Sequence, residues 1–442
     1  MGYIQFISNS IVRAANPKKE VQRIELAPWD LMFLAMDYAP KGLLYYKLKL
    51  KKEGELGETI VHQLKTSLSQ TLDYFSPLAG RLATIELEDN TSSFFIDCNN
   101  AGVLFVHAAA NGITISDIIG PSAVPSFVRT LFQLNEVKNY ESTSKPLLAI
   151  QVTELADGIF ISCTYNHVVV DGTSFVHFFN CWAEISRGSI ELAKPPALQR
   201  WFPNGIEGPV GIPNSYLTYG HDFIPPCLQV RFFHFTKASI ANLKAKANAE
   251  VGTDKISSLQ ALLSHIWRTV IRCKNLDPVE ETNFFLPVSA KSRLYQLSQQ
   301  YIGNAMQGKV ITMKVKDLLE KGLGNAAWEI NKSIASQSEE KMTTFLESWK
   351  ESPLLLTAGL ASTVSNLLVL GGSPRFDYYS VDFGWGRPIA IRSGVGNKHD
   401  GKITVYGGLE EGRMDIEACF IPETLQALAN CKEFMNSVAT QS

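Results

Sequence analysis

The segment Tyr165-Asn166-His167-Val168-Val169-Val170-Asp171-Gly172 carries an imidazole and a carboxylate four residues apart. A neutral imidazole near pH 7 takes a proton from a hydroxyl as that oxygen attacks, and the resulting imidazolium protonates a leaving group. The spacing alone is weak evidence, because eight histidines make a His followed by Asp a common accident in a chain of this length. Its surroundings are more selective. Gly158 to Tyr165 mixes β-branched and aromatic residues over a strand's length, and Thr173 and Ser174 suit the cap of a helix running to Ser186, with Gly188 ending it. His167 and Asp171 therefore belong to a strand-to-helix corner, where a rigid scaffold presents reactive side chains. The bland reading of the same residues is a core histidine, with Asp171 capping the next helix.

A second motif is Asp382-Phe383-Gly384-Trp385-Gly386, inside Tyr379-Ser-Val-Asp-Phe-Gly-Trp-Gly-Arg-Pro388. With the His167 segment it resembles the BAHD acyltransferases, plant enzymes that move acyl groups from coenzyme A thioesters to alcohols or amines. The resemblance runs along nearly the whole chain. It includes Leu72-Asp-Tyr-Phe-Ser-Pro-Leu-Ala-Gly-Arg-Leu82, Ile96-Asp-Cys-Asn-Asn-Ala-Gly-Val-Leu-Phe105, Ser264-His-Ile-Trp-Arg268 and Glu411-Gly-Arg-Met-Asp-Ile-Glu417. It implies an α/β fold of two similar chloramphenicol-acetyltransferase-like domains, with mixed sheets flanked by helices and an active site in a channel at their interface.

For single residues, the resemblance implies His167 as general base. It makes Asp171 a structural group paired with an arginine from the other half of the chain, and Arg293 is the candidate partner. Lys291 stands where the family commonly has another arginine, and Tyr295 to Gln300 replaces a Pro-rich segment. The two glycines around Trp385 allow tight turns, so a structural role for Asp382, Gly384 and Gly386 ranks first. The resemblance also suggests a Trp385 indole N–H aimed at a developing oxyanion. Arg375 has two readings, a carboxylate-binding group at the acceptor mouth or a structural ion pair with Asp377.

Coenzyme A needs a basic cluster or a helix N-terminus, and Lys255, Ser257 and Ser258 gather a cation, hydroxyls and free N–H groups at one. Plain N-capping there is compatible with that role. Acyl-CoA is then a co-substrate, with no permanently bound cofactor and no metal. The expected function is acyl transfer to a hydroxyl or amine of a small specialised metabolite. One competitor is a condensation-type enzyme taking acyl groups from carrier proteins, which shares His-x-x-x-Asp-Gly but not Asp382 to Gly386. Another is a non-transferring member, lyase-like or metabolite-binding, against which the intact His167 counts.

Composition sets the frame for these motifs. The length of 442 residues suits two domains, and 45% hydrophobic with 19% charged residues is the composition of a soluble globular protein. A formal net charge of −2 predicts no nucleic-acid affinity, so an anionic substrate must be held by local groups. Seven scattered cysteines without a Cys-x-x-Cys pair read as reduced residues of a cytoplasmic protein. No signal peptide or myristoylation signal is visible, and a monomer without membrane partners is expected. The charge-free run from Ser352 to Pro374 is long enough to span a bilayer, but its polar residues and closing Gly371-Gly-Ser-Pro374 favour a buried helix or strand.

The elements that position the motifs follow from periodicity. Ile60, Leu64, Leu68 and Leu72 share one face of a helix, as do Leu259, Leu262, Leu263, Ile266, Trp267 and Val270 between Ser257 and Arg272. His265 falls at the edge of that face and reads as core. Strands are expected at 42–47, 93–96, 103–108, 147–153, 159–165, 228–235 and 283–289. An N-terminal domain is expected over 1–193, a Pro-rich crossover over 194–226 and a C-terminal domain over 227–442, with 375–400 packing back on the first. Gly322-Leu-Gly-Asn-Ala-Ala327 superficially matches a dinucleotide fingerprint, but a helical pattern precedes it where a strand is needed.

Overall fold

The computed structural model describes residues 4–17, 20–46, 55–203, 209–218, 224 and 226–439. The N-terminal half supplies β1 (Gln5–Val12), β2 (Arg23–Glu25), β3 (Ala39–Tyr46), β4 (Arg81–Leu87), β5 (Thr91–Asp97), β6 (Val103–Ala110), β7 (Leu148–Leu155), β8 (Gly158–Tyr165) and β9 (Ile212–Pro213). The C-terminal half supplies β10 (Gln229–Phe235), β11 (Glu281–Ser289), β12 (Met306–Lys314), β13 (Leu367–Ser373), β14 (Ala390–Ser393), β15 (Lys402–Gly407) and β16 (Met414–Phe420). One six-stranded sheet runs β1-β6-β7-β8-β3-β14 and a second runs β10-β16-β15-β13-β11-β12. Both are mixed: β6 and β7 are parallel in the first, and β13 is parallel to β11 and to β15 in the second. A small sheet, β2-β5-β4 with β9 on β5, completes the N-terminal half.

Every residue of β8 is buried, because β7 and β3 flank it and both of its faces are covered. Ile159, Ile161, Cys163 and Tyr165 face the main core, while Phe160 joins Leu44, Ile115 and Phe132 on the other side. Gly42 lies where β3 crosses Phe160, and a Cβ there would come within 2.2 Å of that ring. The helix Gly172–Ser186 follows β8 and packs on the helix Glu55–Tyr74, with the Trp182 indole donating to the Leu64 carbonyl at 3.2 Å. Ile60, Leu64, Leu68 and Leu72 are all buried, as an apolar i, i+4 row requires. Arg81 donates to the carbonyls of Gly80 and Gly102, a structural role in its turn.

In the C-terminal half, the helix Ser258–Lys274 presses Leu262, Leu263, Ile266, Trp267 and Val270 into a second core with β10, β11, β15 and β16. His265 is buried there against the Phe434 ring, and burial lowers its pKa to about 4. The run 352–374 divides into a short helix, Ala358–Thr363, and β13. Among the described residues no helix is long and apolar enough to cross a membrane. Residues 322–327 open the helix Gly322–Ala335, where the Glu250 carboxylate already accepts from the Gly324 N–H at 2.6 Å.

The halves are laced together by chain crossing between them. β14 pairs with β3 from Ala390 opposite Leu44 to Ser393 opposite Lys41, so residues from the C-terminal half close the N-terminal sheet. Parts of the Pro-rich segment, 204–208, 219–223 and 225, lie outside the described residues. Its described part contributes β9 and the helix Asn214–Thr218, and Ala197 bridges to Tyr301.

Candidate active site

β8 ends at Tyr165, and the next residues are pinned from several sides. The Asn166 N–H donates to the Leu147 carbonyl at 2.8 Å and the His167 N–H to the Asn139 Oδ1 at 3.0 Å. The Asn304 Nδ2 donates to the His167 carbonyl at 2.7 Å. The imidazole stacks on Phe33, with centroids 4.1 Å apart and planes within 12°. Its Nδ1 is buried without a hydrogen-bond partner, while the residue keeps part of its surface accessible. Nε2 is therefore the ring nitrogen that an incoming proton donor can reach. Burial lowers the His167 pKa below the ordinary value of 6.5, with the Asp171 charge opposing and the Lys402 charge adding to the shift. The ring is thus neutral at pH 7, the state a general base needs.

Asp171, and neither Thr173 nor Ser174, caps the helix Gly172–Ser186: its Oδ1 accepts from the Ser174 N–H at 2.8 Å. Its Oδ2 accepts from the Ala305 N–H at 3.3 Å, in the other half of the chain. Arg293 is not its partner. That guanidinium donates to the carbonyls of Ile334 and Gln337, at the C-terminal end of the helix Gly322–Ala335, and to that of Ser289 at the end of β11. The cation whose field reaches Asp171 is Lys291, buried and donating to the Tyr301 carbonyl at 2.8 Å.

Asp382 to Gly386 forms a closed loop. The Asp382 Oδ1 accepts from both the Gly384 and Gly386 N–H groups, at 2.8 and 2.9 Å, and the two glycines have φ of 101° and 110°. Arg187 donates to the Asp382 carbonyl, and Phe383 is buried edge-on to Trp182 with centroids 4.9 Å apart. Trp385 packs on Tyr45 and Phe383. That placement sets it apart from His167. Tyr45 pairs with Ile159 and Ala39 with Tyr165, so six residue steps along β3, about 20 Å, separate the Trp385 contact from the end of β8 beside His167. The loop clamps β3 and the helix Gly172–Ser186, and its indole N–H is buried without a partner.

Arg375 is exposed and makes no ion pair with Asp377, one of its two readings, while the Asp377 Oδ1 accepts from the Ser380 N–H. Ser257 is the cap of the helix Ser258–Lys274, accepting from the Gln260 N–H at 3.3 Å while the Gln260 Oε1 accepts from the Ser257 N–H at 2.8 Å. Lys255 is exposed and Ser258 half-buried beside it. The structure brings Asp171 and His167 to one corner but leaves Arg293, Trp385 and Lys255 on other elements. Among the described residues no cluster could hold a metal ion.

A family model described as the Transferase family matches residues 3–435. The BAHD acyltransferase DCR of Arabidopsis thaliana is 31% identical, covering 98% of this chain and 93% of its own length. The chain belongs to the BAHD family. An uncharacterized acetyltransferase of Arabidopsis thaliana is 39% identical over 98% of this chain and 99% of its own length. Among solved structures, vinorine synthase superposes with a TM-score of 0.75 at 18% identity over 99% of both chains. F. graminearum TRI101, in complex with coenzyme A and T-2 mycotoxin, gives 0.76 at 16% over 94% of this chain and 99% of its own.

Within this BAHD chain, four residues that hold the histidine corner belong to neither motif. Asp30 is wholly buried and accepts from Asn304 N at 2.9 Å, Asn304 Nδ2 at 3.0 Å and Ala27 N at 3.0 Å. Arg200 lies 3.3 Å from the Asp30 carboxylate and donates to the Val169 carbonyl at 2.8 Å and to that of Ile302. Asn139 and Asn304 then hold the two backbone groups of His167. Burial raises the Asp30 pKa, and the Arg200 charge opposes that rise. A buried carboxylate flanked by apolar residues, Trp29 and Leu31, was the one available sequence signal, since Asp is seldom buried without a partner.

Proposed function

We propose that the chain transfers an acyl group from an acyl-CoA thioester to a hydroxyl or amine of a small specialised metabolite, with His167 as general base. The observation that carries this reading is the His167 ring, held neutral and stacked on Phe33 with Nε2 as its accessible nitrogen. The acceptor heteroatom attacks the thioester carbonyl carbon while its proton passes to Nε2, giving a tetrahedral intermediate and an imidazolium. Collapse breaks the carbon–sulfur bond, and the imidazolium returns the proton to the departing sulfur. The products are the ester or amide and free coenzyme A, with no oxidation or reduction. Membership of a family of acyltransferases supports the reaction class, and coenzyme A in the TRI101 complex supports the donor.

In this reading the N-terminus of the helix Ser258–Lys274, with Lys255, Ser257 and Ser258, takes part of the coenzyme A, and the exposed Arg375 meets the acceptor at the surface. The chain then works as a cytoplasmic monomer. The test is a matrix of acyl-CoA donors and mixed alcohol and amine acceptors read by mass spectrometry, with carrier-protein thioesters in parallel. Acylated product from coenzyme A donors, lost in His167→Ala, is the expected result. Product from carrier-bound donors alone would replace the reading by the condensation-type one.

A further inference from the structure

Side chains of the two large sheets come together at a cluster of lysines, where Lys41 reaches Tyr406. Lys41 comes from β3 of the first sheet, Lys402 from β15 of the second, and Lys398 from the segment joining β14 to β15. The buried Glu417 on β16 is the one carboxylate among them, and it is fully used: it pairs with Lys398 and accepts from Ser393 at 2.6 Å and from Tyr406 at 3.2 Å. Lys41 donates to the Tyr406 hydroxyl at 3.2 Å. The Lys402 backbone N–H donates to the His399 carbonyl, but its ammonium makes no hydrogen bond or ion pair among the described residues.

The other acids on this face are engaged too. Asp415 holds His234 at 2.6 Å and Arg413 at 3.1 Å, and Asp400 holds Lys274 at 3.0 Å and the Ile421 N–H. His399 is neutral, with burial lowering its pKa to about 4. Cys419 faces Lys402 across the ladder as a buried thiol. Lys402 lies flat over Gly371 of β13, where a Cβ would come within 3.1 Å of its Cε and 3.3 Å of its Nζ. The glycine gives the ammonium its place on the sheet.

Lys402 is half-buried, and its charge is felt at His167. Lys41 stands two residues along β3 from Ala39, the partner of Tyr165. A half-buried cation without a counter-charge costs the fold part of its hydration, and an arriving anion offsets that cost. We propose that Lys402, backed by Lys41 and Lys398, is the recognition site for a substrate carboxylate close to the reacting carbonyl, on the acyl group or on the acceptor. The phosphates of an acyl-CoA do not fit the position, because the pantetheine arm holds them far from the thioester.

The inference rests on His167 being the reaction centre, so its test reads binding and not turnover. Calorimetry on the full chain compares malonyl-CoA with acetoacetyl-CoA, matched in size and different in charge. It also compares succinate with succinamide, with and without coenzyme A present. At least a tenfold preference for the charged member of one pair is expected; the first pair identifies the acyl group as the source and the second the acceptor. Lys402→Met should erase that preference and leave coenzyme A affinity unchanged, while Lys402→Arg keeps most of it. No preference in the wild type, a preference surviving Lys402→Met, or an equal loss for coenzyme A itself would overturn the proposal. If coenzyme A does not bind at all, the acyl-CoA reading falls while the succinate comparison still reports on Lys402. Without ligand, Lys402→Met should raise Tm and Lys398→Met, which strands Glu417, should lower it; an equal fall in both would make Lys402 structural and end the proposal.

Discussion

His167 is the residue on which turnover should depend most. His167→Ala should lower kcat by about 10²–10⁴, the range for loss of a general base, with Tm nearly unchanged because the buried Nδ1 has no hydrogen-bond partner for the fold to lose. Its pKa is depressed by burial, so the acidic limb of the kcat/KM profile should have its midpoint below 6.5. The linkage has a definite sign. A histidine whose folded pKa lies below its unfolded value costs the fold nothing above 6.5 and destabilises it as pH falls below that value, where the unfolded chain takes up the proton first. A limb centred at or above 6.5 would show that the base is exposed. Asp171 acts differently from His167. Asp171→Asn keeps a side-chain acceptor for the Ser174 N–H, whereas Asp171→Ala loses the cap and strands the Ala305 N–H. Urea unfolding should show Asp171→Ala costing about 0.5–2 kcal/mol for the cap alone, and more than Asp171→Asn. A fully stable but inactive Asp171→Ala would move this carboxylate into the chemistry.

At the scale of elements, the strand register separates two motifs that the sequence invites one to combine. Trp385 rests on Tyr45 at one end of β3, and His167 follows Tyr165, which pairs with Ala39 at the other. Trp385→Phe should therefore retain kcat within a few fold and lower Tm through lost packing on Tyr45 and Phe383. Activity assays beside thermal melts decide this, and a hundredfold loss of kcat at unchanged Tm would restore the indole to the oxyanion. The loop itself depends on glycine: at φ of 101° and 110°, Gly384→Ala and Gly386→Ala each force a conformation that costs about 1–3 kcal/mol.

For the whole molecule, the Asp30–Arg200 pair is a joint between the halves. Arg200 touches Val169 beside the histidine, Ile302 in the C-terminal half and Asp30 near the start of the chain. Removing one partner of a buried pair leaves an uncompensated charge, so Arg200→Met should cost about 3–5 kcal/mol. The double variant Asp30→Asn with Arg200→Met should recover part of that loss in the same denaturation experiment. If the two losses simply add, the pair is not coupled and the joint lies elsewhere.

Local pattern carried a good deal of this protein. The β-branched run before His167, the apolar row Ile60-Leu64-Leu68-Leu72 and the face of the helix Ser258–Lys274 all follow from side-chain sterics and burial, which act over one or two turns. The two motifs and their order placed the chain in its family. Which side chains meet was beyond that reach, because a guanidinium goes wherever unpaired carbonyls await it. Arg293 found those of a helix end, and Lys291, two residues earlier, came to lie nearer Asp171. Lys41 and Lys402 stand 361 positions apart in sequence and come together only because β14 closes the N-terminal sheet and Lys41 of β3 reaches Tyr406 of β15. The sequence by itself determined the elements and the reactive corner, since both are set by neighbours along the chain. Tertiary structure alone decided the partners of Asp171, the distance of Trp385 and the unpaired charge of Lys402, since those depend on contacts that no local pattern encodes.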